Sequence, residues 1–200
     1  MPAQQRLTVA VTGQDTASGL SAFLAGLGSQ SGADRPLPPV HLWNPERCSS
    51  EGDFRIRGDG VWFHEGSPIG REAMVRLFSS ILRKDEDGKT YLVTPGEKVL
   101  VTVEDAPFLA VRVDRHGEGR EQTLAFTTQG GEVVAAGPEH PLRIAFEPQS
   151  GEPRPYVLVR GRLEARILRA HFYEMTGWAE QHEGRFGVWS GGAFFPLEPG

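Results

Sequence analysis

Hydrophobic and polar residues change period several times along this chain, and the changes mark its elements. Around Gly58-Asp59-Gly60, Phe54 and Ile56 and then Val61 and Phe63 alternate with polar residues, which predicts strands meeting at a tight Asp-Gly turn. From Pro68 to about Arg83 the spacing is helical: Ile69, Ala73, Leu77 and Ile81 recur every fourth residue, flanked by Met74, Phe78 and Leu82. Ser67 reads as the N-cap of this helix and Pro68 as its first residue, where a missing N–H costs nothing. Alternation returns in Tyr91 to Val93 and Val99 to Val103, a hairpin joined through Thr94-Pro95-Gly96.

Glu104-Asp105-Ala106-Pro107 breaks the pattern and marks a domain boundary. Beyond it Leu109, Val111 and Val113, then Leu124 and Phe126, then Leu142, Ile144 and Phe146 alternate between glycine turns, as in a curled antiparallel sheet. Tyr156 to Arg160 reads as a central strand. A second helix is expected over 162–181, carried by Leu163, Ile167, His171 and Met175, and Ser190-Gly191-Gly192 turns a final hairpin. The expected class is α+β: two related β-rich units, each with one long helix packed on an antiparallel curled sheet. Residues 1–39 read as an N-terminal extension and linker, 40–106 as the first unit and 107–200 as the second. Aligning Gly66 with Gly161 superposes Arg71 on Arg166, Leu77 on Phe172 and Phe78 on Tyr173, and a hairpin follows each expected helix. A crevice between two such units is the natural place for a ligand.

Charge narrows the choice of ligand. A formal net charge of −5 over 200 residues argues against a surface for long duplex DNA, which needs clustered cations. Between Phe54 and Lys84, however, Arg55, Arg57, Arg71, Arg76, Arg83 and Lys84 outnumber Asp59, Glu65 and Glu72, so a small anion is compatible. No apolar run approaches the ~20 residues of a membrane span, and the N-terminus lacks a secretory pattern, so a cytoplasmic protein without membrane contact is expected. The single cysteine, Cys48, reads as a half-buried structural thiol.

Catalytic and metal motifs are missing. There is no GxxxxGK[ST], GxGxxG or HExxH, and the His171/Glu174 pair lacks a third ligand at recognisable spacing. His64 and Glu65 adjoin, but successive strand side chains diverge, so a hydrolase or transferase using them, or Asp105, is the weakest reading. No catalytic residue, metal or cofactor is assigned. The better constellation is electrostatic. Trp43 and Asn44, then Arg57, Trp62, His64, Arg71 and Lys98 from the first unit, with Arg160 and Arg166 from the second, combine guanidinium forks suited to phosphate with rings suited to bases. The alternative is a protein–protein adaptor using the aromatic hairpin from Trp189 to Phe195.

Several stretches, in order, resemble the bacterial domain of unknown function 1285 (DUF1285) family: HLWNPERC (41–48), DGVWFHEGSPIGREAMVRLFSSILRKDEDGKTYLVTPGEK (59–98), VEDAPFLAV (103–111), GPEHPL (137–142), GEPRPYVLVRG (151–161) and GRFGVWSGGAFFPL (184–197). The resemblance implies a two-unit fold with internal duplication, its second unit similar to a pleckstrin-homology-like barrel. It also implies a ligand-sensing role in bacterial signalling, with a nucleotide or nucleic-acid-type ligand at the junction. It supplies no catalytic residues.

Overall fold

The computed structural model describes residues 37–199. The extension expected over 1–39 therefore lies, up to residue 36, outside the described residues. The first sheet contains β1 (Arg47–Ile56), β2 (Trp62–His64), β3 (Ser67–Pro68), β4 (Leu82–Lys84), β5 (Thr90–Val93) and β6 (Glu97–Val103), ordered β3-β2-β1-β6-β5-β4. The second contains β7 (Phe108–His116), β8 (Thr123–Thr128), β9 (Val133–Ala135), β10 (Leu142–Phe146), β11 (Pro153–Arg160) and β12 (Leu163–Ile167), ordered β10-β11-β12-β7-β8-β9. Read from the opposite edge, the second order repeats the first. In each sheet the first strand pairs with the last in parallel, β1 with β6 and β7 with β12, and the neighbouring ladders are antiparallel. The expectation of wholly antiparallel sheets is corrected by these two pairs.

The helices are shorter than expected. Helix α1 spans Glu72–Ser80 and is capped at Arg71 without a side-chain hydrogen bond. Ser67 and Pro68 form β3 instead of a helix start, pairing with His64 and Phe63. The cause is the Glu65-Gly66 turn: both residues have positive φ, 49° and 76°, the geometry of a two-residue hairpin that returns the chain as a strand. Pro68 is tolerated because β3 is an edge. In the second unit Leu163, Ala165 and Ile167 are buried alternately as β12, and only Arg169–Thr176 is helical, as α2. Residues four apart share a face in a strand as well as in a helix, so the Leu163–Ile167 spacing fitted both; burial of Ala165 between them decides for period two. Gly66 and Gly161 are both hairpin-turn glycines, but α1 lies between β3 and β4 whereas α2 follows β12. The likeness of the two units thus resides in strand order and not in a shared strand–helix entry.

One apolar core runs through both units. Phe54, Ile56, Trp62, Leu92 and Val101 pack with Phe78 and Ile81, and continue into Phe108, Ala110, Phe126, Val157 and Ile167. A third sheet, β13 (Glu180–His182), β14 (Arg185–Ser190) and β15 (Ala193–Pro196), closes the chain. The fully buried Ser190 hydroxyl fastens it to the second sheet, accepting from the Leu124 amide at 2.9 Å and donating to the Ala136 carbonyl at 2.7 Å. Among the described residues no helix is long and apolar enough to cross a membrane.

Candidate functional site at the seam

The two units meet along a seam held by polar side chains. Arg160, at the end of β11, donates to the Glu132 carboxylate and, at 2.5 Å, to the Ser79 carbonyl near the end of α1. Its guanidinium lies 5.0 Å from the Phe108 ring centre. Gln129 donates to the Gly60 carbonyl at 3.3 Å. Asp105, in the connection between units, accepts from the Tyr156 hydroxyl at 2.6 Å and lies 3.4 Å from the Arg166 guanidinium. Burial, followed by the hydrogen bond to Asp105, pushes the Tyr156 phenol up to about 12.

A cavity of about 920 Å³ opens on this seam. One wall is the segment Leu37 to Val40 with His41 and Asn44, which includes the 3-10 turn Val40–Leu42. The floor is β4, the turn after it and Lys98 of β6; the far side is the β11–β12 turn from Arg160 to Leu163. Arg83, Lys84, Lys98, Arg160 and Arg162 supply positive charge, and Asp85, Glu86 and Asp87 supply negative charge.

Asp85 organises the floor. It accepts from Arg83 Nε at 2.6 Å and from Lys98 Nζ at 2.7 Å. Burial pushes the Asp85 carboxyl up, but the bonds from Arg83 and Lys98 outweigh it and hold the group below its usual range. Arg83 also donates to the Val40 carbonyl at 2.7 Å and the Trp43 carbonyl at 2.5 Å, so the same ion pair positions the wall. The Lys98 ammonium stands 4.4 Å from the Tyr91 ring centre, and its hydrogen bond to Asp85 raises its pKa. Tyr91 donates to Asp87 at 2.6 Å, which pushes its phenol up to about 12.

This geometry sorts the residues singled out from the sequence. Asn44, Lys98 and Arg160 line the cavity. Trp43 contributes its backbone carbonyl to the wall through Arg83, while its ring is packed against the core. Trp62 is 1% exposed, its ring stacked on Phe78 at 6.0 Å, so it is a core residue and not a ligand platform. His64 shares that face and packs on Phe54 at 4.4 Å. Arg57 is bonded to Asp59 and lies 5.4 Å from the Phe63 ring centre, in a separate depression of about 300 Å³. The Arg57 bond holds the Asp59 carboxyl at about 2. Arg71 caps α1 and Arg166 pairs with Asp105, both away from the cavity lining. For the others the reason is shared: strand faces that carry aromatic rings are consumed by the core, and forks near carboxylates are paired; Arg71 simply stands exposed at the start of α1.

Sequence reasoning overlooked the turn Lys84-Asp85-Glu86-Asp87 and Arg162. The signal was present as a dense charge run, but a charged turn is ordinarily a solvated connection. Glu65 sits in an exposed turn, Asp105 is bonded to Tyr156, and His64 packs on Phe54. His171 contacts the Val111 carbonyl at 2.7 Å and Glu174 at 3.4 Å, as a helix-face histidine satisfied by its neighbours. Cys48 is exposed, not half-buried. In the terminal hairpin Phe195 is buried in the core, while Trp189 and Phe194 lie half-buried on the opposite face, packed against each other at 5.3 Å and against His182, with Arg120 over Trp189 at 5.1 Å.

Strand order, seam and cavity define a protein of two sheet-built units joined over a charged cavity. Residues 38–106 match the family described as domain of unknown function (DUF1285), N-terminal domain, and residues 107–197 match protein of unknown function (DUF1285), C-terminal domain. The chain belongs to the DUF1285 family. It is similar to a DUF1285 family protein from Silicibacter pomeroyi DSS-3, known as a crystal structure, with 50% identity and a TM-score of 0.79 over 88% of this chain and 94% of that one. A DUF1285 family protein from Shewanella baltica OS155 is 26% identical, with a TM-score of 0.48 over 64% of this chain and 93% of that one. No curated protein matches the chain.

Proposed function

We propose that this protein binds a small anionic ligand in the seam cavity, without chemical turnover, and serves regulation in a cytoplasmic signalling process. The observation that carries the reading is that both units line one cavity of about 920 Å³ in which five cationic side chains face three carboxylates. That volume lies within the ~300–1,000 Å³ of ordinary small-molecule sites. The ligand is amphipathic: Leu37, Pro38, Pro39, Val40, Leu82 and Leu163 offer apolar wall beside the charged floor. A nucleotide remains the leading class, with its base against His41 and the prolines, since among the described residues no Trp, Phe or Tyr lines the cavity. The recurrence of strand order supports descent of the two units from one duplicated unit, and a pleckstrin-homology-like second unit belongs to the same proposal. Phe195 of the terminal hairpin is buried and Trp189 and Phe194 are half-buried, which supports this ligand-binding reading over the adaptor.

Thermal denaturation against a panel of nucleoside mono-, di- and triphosphates tests it. A ligand at about 100 times its Kd adds ~2.7 kcal/mol of stability, so the midpoint rises with concentration. A midpoint unmoved by every member at millimolar concentration would remove the nucleotide reading.

A further inference from the structure

The five cations of the seam cavity are not equally available. Arg83 uses all three nitrogens, on Asp85 and on the Val40 and Trp43 carbonyls. Lys98 is bonded to Asp85 and lies over Tyr91. Arg160 has both terminal nitrogens on Glu132 and the Ser79 carbonyl. Moving any of these three onto a ligand breaks a contact that holds the fold. Lys84, at the end of β4, is exposed and has no partner among the described residues. Arg162, in the β11–β12 turn, meets only Glu86 among the described residues, at 3.2 Å, and both side chains are open to solvent, 54% and 92% exposed.

Resting on the seam-cavity reading, we infer that Lys84 and Arg162 grip the anionic group of the ligand from opposite units, and that Glu86 is an internal competitor that occupies Arg162 until the ligand displaces it. Glu86 sits in a turn closed by Asp85 N–H to the Lys89 carbonyl at 3.0 Å and Gly88 N–H to the Asp85 carbonyl at 3.1 Å. The turn is anchored, while the Glu86 carboxylate itself is free to swing away. An exposed ion pair of this kind contributes only ~0.2–1 kcal/mol, and a phosphate that meets two cations at once exceeds it. The ligand class this fits is a phosphate or diphosphate ester bridging the seam, held by its anionic end and excluded when Glu86 wins.

The test is calorimetric titration of inorganic pyrophosphate into the full chain at fixed ionic strength, for the wild type, Glu86→Gln, Arg162→Gln, Lys84→Gln and the double variant Glu86→Gln/Arg162→Gln. All three positions are exposed or loosely paired, and unchanged thermal midpoints verify folding. Glu86→Gln is expected to tighten binding about two- to five-fold, the factor that an exposed pair of ~0.4–1 kcal/mol corresponds to. Arg162→Gln and Lys84→Gln weaken it. The double variant binds like Arg162→Gln alone, because nothing is left for Glu86 to compete for. Equal Kd values for wild type and Glu86→Gln overturn the competitor while leaving the cavity reading intact. Affinity unchanged in Lys84→Gln and Arg162→Gln overturns the assignment of the grip. Absence of binding by both the wild type and Glu86→Gln at millimolar pyrophosphate overturns the inference and counts against an anion site altogether.

Discussion

Replacing Arg160 by alanine tests how the two units are held together. The substitution removes a charge-assisted hydrogen bond to Glu132, a 2.5 Å bond to the Ser79 carbonyl, and a guanidinium 5.0 Å from the Phe108 ring centre. A hydrogen bond involving a charged group contributes ~1.5–3 kcal/mol, and a cation–π contact at a partly exposed site ~0.5–1 kcal/mol. Breaking a fully buried pair costs about 3–5 kcal/mol. Here the side chains are 20% and 31% exposed, so water recovers part of the loss and ~2–3 kcal/mol is expected. With a urea m-value of about 1–3 kcal/mol/M, the midpoint of equilibrium unfolding falls by roughly 1 M. Because the bond to the Ser79 carbonyl crosses the seam, the variant should also lose coincidence between tryptophan fluorescence and far-UV circular dichroism. Arg160→Lys keeps the charge but cannot serve both partners, so it falls between wild type and alanine. A double-mutant cycle with Glu132→Ala separates the pair from the Ser79 bond. A loss below about 0.5 kcal/mol, the range of an ordinary surface substitution, with a single coincident transition would refute the reasoning.

Two further substitutions probe the floor and the third sheet. Asp85→Asn removes the carboxylate that orders Arg83 and Lys98, and should cost ~1–3 kcal/mol at neutral pH. Since the folded-state pKa of Asp85 is depressed, its contribution is present above the unfolded value of about 3.9 and lost as pH falls through the folded value. Urea midpoints measured from pH 6 down to pH 2 should therefore decline less steeply in Asp85→Asn than in wild type; parallel profiles would contradict the assignment. Ser190→Ala leaves the Leu124 amide and the Ala136 carbonyl without their shared hydroxyl in a fully buried place, and should lower stability by ~1–3 kcal/mol. Hydrogen exchange at Leu124 reads this directly, and unchanged protection there would show that the third sheet is held by packing alone.

The local pattern of the chain located some of its strands and turns, but not β3, β4, β12 and β13, which fell in stretches read as helix. Val99 with its hairpin partner Leu92, Val101, the Asp59-Gly60 turn and the Gly191-Gly192 turn follow from side-chain period and from positions that demand positive φ, both properties of adjacent residues. The break between the two sheets was also legible, because Glu104 to Pro107 interrupts the pattern and falls between the last strand of one sheet and the first of the next. The ends of the helices were not. Ser67-Pro68 is compatible with a helix start and with an edge strand, and pairing with β2 across the Glu65-Gly66 turn chose the strand. Leu163 and Ile167 suit either period, and insertion of β12 between β11 and β7 chose the sheet. The site divides in the same way. Charge density around the first helix was readable, yet a guanidinium fork binds whatever carboxylate or carbonyl the fold brings within reach. Tertiary structure alone paired Arg166 with Asp105 and Arg160 with Glu132, buried Trp62, and left Lys84 and Arg162 at the cavity lining.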